Sequence, residues 1–120
     1  EIIHLGYLSD EDISEFYNTA DLFVYPSFYE GFGLPVLEAM QYGCPVVTSN
    51  VASLPEIYGN SAYYMDPHNI DSIVNAIEDV LSSTKLRKKM SKMGVSQAKK
   101  FSWEKTAYET LAVYEEIKRK

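Results

Sequence analysis

The sequence predicts an open α/β fold, a parallel sheet of about four strands covered by helices on both faces. Three observations predict it. Short apolar runs alternate with helical patterns along the chain, which is the order that builds parallel sheets. The runs are nearly continuous in apolar residues, as strands buried on both faces must be. Hairpin turn pairs such as Asn-Gly are absent between them, so neighbouring strands are joined by crossovers.

The elements follow in order. Ile2–Leu5 is an apolar run closed by Gly6 and reads as a buried strand. Ser9-Asp10-Glu11-Asp12 supplies a hydroxyl cap and acids for a first helical turn, and Ile13, Phe16, Tyr17 and Ala20 recur at helical spacing. Leu22–Tyr25 is a second strand, stopped by Pro26. After a loop from Ser27 to Leu34, a helix begins at Pro35, where a missing N–H is harmless, and ends near Gly43. Pro45–Thr48 is a third strand. A polar loop and a helical turn around Pro55-Glu56-Ile57 lead to a fourth, Ala62–Met65.

From there the chain is helical. Ile70, Ile73, Val74, Ile77, Val80 and Leu81 form one apolar stripe; Leu86, Met90 and Met93 form a second; Trp103, Ala107, Leu111, Tyr114 and Ile117 form a third. Gly94 is expected to weaken the second of these helices, and Trp103 to anchor the last. Because the pattern starts inside an element, one sheet edge is expected to be bare, open to self-association or to another piece of protein.

Composition bounds the function. The chain has 120 residues, 46% hydrophobic and 23% charged, which suits one globular domain. No apolar run approaches the roughly 18 residues of a membrane span, and the first residues lack a secretory signal, so the expectation is a cytoplasmic protein. The one cysteine, Cys44, reads as a small buried filler, and with His4 and His68 it makes too thin a set for a zinc site. Neither histidine is given a role. The net charge of -6 hides an asymmetry: residues 1–84 hold 13 acids and no Lys or Arg, while the last 36 residues hold all 11 cations and 4 acids. That weighs against nucleic acid as a partner of the first part.

The segment with chemistry is Tyr29–Glu38, between the carboxyl end of a strand and the start of a helix, where open α/β sheets bind ligands. Gly31 and Gly33 allow close backbone approach, and the helix start offers unpaired N–H groups, a natural seat for phosphate. Glu30 and Glu38 are acids beside an anion site, so they suit another part of the ligand. A carboxylate accepts hydrogen bonds from neighbouring hydroxyls. A nucleotide sugar fits both demands: Glu30 on the hexose, the backbone at Phe32, Gly33 and Leu34 on the pyrophosphate, Glu38 on the ribose. The competing reading is structural, with the glycines shaping a tight turn, Glu38 on a solvated face and Glu30 capping the loop.

Taken together, the Glu30/Glu38 spacing, Asp21–Ser27 before it, Gly43–Val47 after it, Leu54-Pro55-Glu56 and Met65-Asp66-Pro67 resemble the retaining glycosyltransferases of family 4, the glycosyl transferases group 1. The likeness spans nearly the whole chain. It implies the GT-B architecture of two Rossmann-like domains facing across a cleft, with residues 1–120 as the later part of the C-terminal, donor-binding domain and its last helix over 103–118 bracing the absent N-terminal domain. Carried over by motif, Glu30 contacts donor-sugar hydroxyls as the catalytic candidate, Gly31, Phe32, Gly33 and Leu34 form the backbone cradle, and Glu38 holds the ribose. Tyr7 and Leu8 match the place where backbone reads the nucleobase, and Ser27 stands close enough to line the sugar pocket. Ser49–Ser53 departs from the glycine pair that many relatives carry before Leu-Pro-Glu, so another backbone path is expected there; Glu56 is assigned to structure.

The resemblance also implies transfer of a hexose from a UDP or GDP sugar to an acceptor hydroxyl with retention, no metal and no cofactor. Leaving-group charge must then be offset by cations, which residues 1–84 lack, so the chain is expected to be an inactive fragment of an enzyme. The basic run Lys85–Lys100 suits either plain solvation or peripheral contact with an inner membrane face near a lipid-linked acceptor. A noncatalytic nucleotide-sugar module and a self-associating domain are the alternatives from other classes. Glycoside hydrolysis, which also uses two carboxylates, needs no phosphate-binding helix end.

Overall fold

The computed structural model describes all residues from Glu1 to Lys120. A first helix, α1 (Asp10–Thr19), leads to β1 (Phe23–Tyr25), α2 (Leu34–Gln41), β2 (Val46–Ser49), α3 (Leu54–Tyr58), a 3-10 turn (Gly59–Ser61) and β3 (Tyr63–Met65). Three helices follow: α4 (Ile70–Ser82), α5 (Thr84–Ala98) and α6 (Trp103–Arg119). The sheet has three strands in the order β1-β2-β3, all parallel, with Val24 opposite Val47 and Thr48 opposite Tyr64.

All four residues of β2 are buried because it is the central strand. Its side chains alternate between two cores, as the period of a strand demands. Val46 packs with Tyr17, Val36 and Met40 from α1 and α2, whereas Val47 packs with Ala76, Val80 and Met90 from α4 and α5. Helices therefore cover both faces, as expected.

Local chemistry sets the helix limits. Ser9 and Asp12 form a reciprocal capping box, with Asp12 N donating to Ser9 Oγ at 3.2 Å. Asn69 caps α4 through Ser72 N at 3.1 Å, and Ser83 caps α5 through Leu86 N at 3.1 Å. Arg87 turns back to donate to the carbonyls of Val80 and Leu81, placing its charge on the negative end of α4.

Three expectations change. Ile2–Leu5 is not a strand: it carries no regular structure, and Ile2 is fully exposed. A strand needs a neighbour to satisfy its backbone, and no strand of this chain lies beside it. The sheet is accordingly one strand smaller than read. Gly94 does not interrupt α5; it is buried where α2 crosses, and a Cβ there would lie 3.2 Å from Met40 Cγ, so the glycine admits the neighbouring helix. Trp103 does not anchor α6, since it is 77% exposed and no residue of that helix is buried. The projecting helix helps to stretch the molecule to 58 Å along its longest axis. No helix is long and apolar enough to cross a membrane. Cys44 is buried as expected, and burial pushes its thiol up to about 11.

Candidate functional site

Parallel strands deliver their loops to one edge, and here three loops meet at the carboxyl ends of β1, β2 and β3. Glu30 stands in the first. Its Oε1 accepts from the Tyr25 hydroxyl at 2.5 Å and from Ser27 Oγ at 3.2 Å, and the residue is half-buried. Tyr25 is the last residue of β1 and stacks on Phe23 with ring centroids 5.9 Å apart, so a rigid strand holds the phenol in place. The hydrogen bond to Glu30, and then burial, push the Tyr25 phenol up to about 12, so it remains a donor at neutral pH.

Gly33 opens α2 in the left-handed conformation, φ 77° and ψ 52°. Only glycine fits there: a Cβ would lie 2.7 Å from Leu54 Cδ2. The turn leading into it is fastened to the segment after β2. Ser53 Oγ donates to the carbonyls of Glu30, at 3.1 Å, and Gly31, at 2.5 Å. The Tyr58 hydroxyl donates to those of Phe32, at 3.0 Å, and Gly33, at 2.8 Å. Burial raises the Tyr58 phenol well above its ordinary range, which keeps its proton on. The amides of Gly31, Phe32 and Gly33 donate to no atom of the chain. Gly31 has open space where a side chain would stand.

The other expected site residues are spread more widely. Ser27 is with Glu30, as described, and its hydroxyl also reaches Tyr29 O at 3.0 Å. Glu38 is exposed on α2, close enough to Tyr17 for its charge, after burial, to raise that phenol. Leu34 is exposed at the first helical position and Phe32 is half-buried, edge-on to Tyr58 and Phe101. Tyr7 is 97% exposed after a left-handed Gly6, and Leu8 is half-buried. Glu56 makes no side-chain hydrogen bond or ion pair and is exposed; it stands in the first turn of α3, where an acid suits the helix dipole.

In the loop after β2, Ala52 takes a left-handed backbone without being glycine, with φ 50°. Ser53 follows it and brings its hydroxyl to the turn before α2. The sequence alone does not single out Ser53, Tyr58 or Tyr25 as site residues. Their partners lie 22 to 26 residues away for Ser53 and Tyr58, a separation that no local pattern encodes. Tyr25, five residues before Glu30, was within reach of a spacing argument. At the third loop, His68 stacks on Phe28 at 4.8 Å, joining the β3–α4 connection to the Glu30 loop.

Charge is distributed unevenly around this edge. Glu30 in the first loop and Asp66 at the end of β3 are acids at this edge, and the one ion pair joining the two charge halves of the chain, Arg87 to Asp21 at 3.9 Å, sits before β1, at the opposite end of the sheet. A cleft of about 380 Å³ runs beside α2, lined by Phe32, Leu34, Leu37, Phe101 and Trp103 among others; it is mainly apolar. No three His, Cys, Asp or Glu side chains gather closely enough to hold a metal ion.

An open parallel sheet, with a glycine-opened helix and a tethered acid, Glu30, at its carboxyl edge, defines an α/β domain of the kind that GT-B glycosyltransferases carry. The chain belongs to the glycosyl transferases group 1 family, whose model matches residues 1–97. It is 49% identical over 113 residues to the O-antigen chain mannosyltransferase B of Escherichia coli, covering 94% of this chain and 30% of that protein. It is 35% identical over 120 residues to the MMP alpha-(1->4)-mannosyltransferase of Mycolicibacterium hassiacum, covering 96% and 29%. Among solved structures, a sucrose-phosphate synthase from Thermosynechococcus elongatus superposes with a TM-score of 0.84 at 28% identity, over 94% of this chain and 29% of that one. The C-terminal domain of a glycosyl transferase group 1 protein from Francisella tularensis superposes with a TM-score of 0.70 at 30% identity, over 80% and 51%. The chain therefore spans about 30% of the length of these two curated relatives.

Proposed function

We propose that this chain is the donor-binding part of a retaining, metal-independent hexosyltransferase that takes mannose from a nucleoside-diphosphate sugar. The observation that carries the reading is the juxtaposition of Glu30, whose Oε2 has no partner in the chain, with three free amides at the amino end of α2. Family membership supports transferase chemistry, and the mannosyltransferase relatives support the hexose.

In this reading the diphosphate sits on the amides of Gly31, Phe32 and Gly33, and the sugar lies toward Glu30, which accepts from its hydroxyls. Glu38, exposed further along α2, accepts from the ribose diol. The acceptor oxygen attacks the anomeric carbon from the side of the departing group. The bond from that carbon to the diphosphate oxygen breaks with its electron pair, and the acceptor's proton passes to the diphosphate. A helix end offsets roughly 0.3 to 1 kcal/mol per charge, well short of what a leaving diphosphate needs. The cations come from outside this chain, from a preceding N-terminal domain and the first part of the donor domain. The reading places the enzyme in the cytoplasm, with the exposed lysines of α5 facing anionic lipid at the inner membrane surface when the acceptor is lipid-linked.

The test is calorimetry on the full-length protein with GDP-mannose, UDP-glucose, GDP and UDP. Glu38→Gln is expected to weaken sugar nucleotide and free nucleotide alike, and Glu30→Gln to weaken only the sugar nucleotide. Equal, negligible effects of both changes overturn the assignment. Sugar transfer by these 120 residues alone overturns the dependence on outside cations.

A further inference from the structure

We infer that Ser53 and Tyr58 are positioning residues for the donor diphosphate: their two hydroxyls hold four consecutive carbonyls on one side of the Glu30–Gly33 turn and so present its amides on the other. The inference rests on the reading of that turn as the donor site.

A peptide unit is planar and trans, so its C=O and N–H point in opposite directions. The carbonyls of Glu30, Gly31, Phe32 and Gly33 share their planes with the amides of Gly31, Phe32, Gly33 and Leu34. Ser53 lies against the first two carbonyls and Tyr58 against the second two, the last of which also accepts from Val36 N at 2.9 Å as α2 begins, so the hydroxyls matter most at the first three. Each hydroxyl has one proton, which it shares between two acceptors. The opposite sides of the same planes are then all donors, and the first three of those donors have no partner in the chain.

The brace has work to do because of the glycines. A peptide flanked by glycine flips at little steric cost, and one flip would turn a carbonyl oxygen toward the phosphates where a donor is wanted. Tyr58 is fully buried and cannot swing away. Ser53 follows Ala52, whose left-handed backbone brings it beneath the turn. Neither side chain touches the ligand side. Both act through backbone, and so they select for an anion of the length of a diphosphate rather than for a base or a sugar.

The experiment is calorimetry on the full-length protein with GDP, UDP, GMP and UMP, using wild type, Ser53→Ala, Ser53→Thr and Tyr58→Phe. Wild type is expected to prefer a diphosphate to the matching monophosphate. Ser53→Ala and Tyr58→Phe should each lose about 3- to 10-fold in diphosphate affinity while monophosphate affinity stays within about twofold, the size expected for one hydrogen bond. Ser53→Thr keeps the hydroxyl and should bind as wild type does, which a purely structural role for residue 53 would not require. Unchanged diphosphate preference in Ser53→Ala, with Glu30→Gln still impairing sugar-nucleotide binding, overturns the brace and leaves the donor site standing. Absence of any diphosphate preference in wild type overturns both.

Discussion

The Tyr25 hydroxyl and Oε1 of Glu30 are 2.5 Å apart, and Ser27 approaches the same oxygen at 3.2 Å. One oxygen of the carboxylate is thus committed to the protein, and only the other is left to receive a ligand. Removing the phenol frees Glu30 to rotate. In the full-length enzyme, Tyr25→Phe is expected to lower kcat/KM for the sugar nucleotide by about 10-fold, the scale of a hydrogen bond to a charged group, with binding of free nucleotide unchanged. A steady-state comparison beside a nucleotide titration checks it. Equal weakening of nucleotide and sugar nucleotide would place the tyrosine elsewhere in the scheme.

The two glycines of the turn should separate stability from binding. Gly33→Ala meets both a left-handed φ of 77° and the Leu54 methyl at 2.7 Å, and should destabilise the fold by about 2 to 4 kcal/mol. Gly31→Ala has open space, so its unfolding free energy should change by less than about 1 kcal/mol while diphosphate binding suffers. Urea titrations of both variants, with nucleotide binding measured alongside, give the comparison. Comparable unfolding midpoints would contradict the packing argument.

Ser49 ends β2 with its hydroxyl buried and without a hydrogen-bond partner. An unsatisfied buried hydroxyl costs stability that a methyl group does not. Ser49→Ala is therefore expected to be neutral or to stabilise by up to about 1 kcal/mol. A thermal melt showing a clear loss would mean that the hydroxyl has a partner after all.

Alkaline pH should unfold the chain in a graded way. Burial holds the Cys44 proton to about 11, against an ordinary 9.0, and the Tyr64 proton to about 12, against 10.0. Tyr25 is raised to about 12 by its bond to Glu30, and Tyr17, Tyr58 and Tyr63 are raised as well. In each case the unfolded chain loses its proton first. The stability from these groups is whole below about pH 9 and falls as pH climbs toward 12. Denaturant midpoints measured across that interval should decline throughout, and in Tyr64→Phe the decline between pH 10 and 12 should be shallower.

Much of the architecture was legible because its causes are local. Ser9 and Asp12 declare the start of α1 within four residues, and the run from Leu34 with Pro35 announces α2. The apolar run at Ile2–Leu5 misled because strand character is completed by a neighbour, and no strand pairs with it here. Gly94 looked like a weakness along its own helix, whereas the reason for it is Met40 on another. The same limit governs the candidate site. Glu30, Gly33 and Glu38 could be picked out by spacing, but the groups that hold the turn, Ser53 and Tyr58, become visible only when the chain has folded back on itself.

The exposed C-terminal helix has a practical consequence at the bench. A stretch of 17 residues with none buried, facing the body only through its first turn at the cleft beside α2, gains little tertiary support, which is where most helical stability in proteins comes from. Brief trypsin treatment of the purified polypeptide should nick at Lys105, Lys118 and Arg119 long before it reaches the sheet, and mass spectrometry should find a resistant remnant that ends at Lys105, just beyond Phe101, whose ring still leans on Phe32.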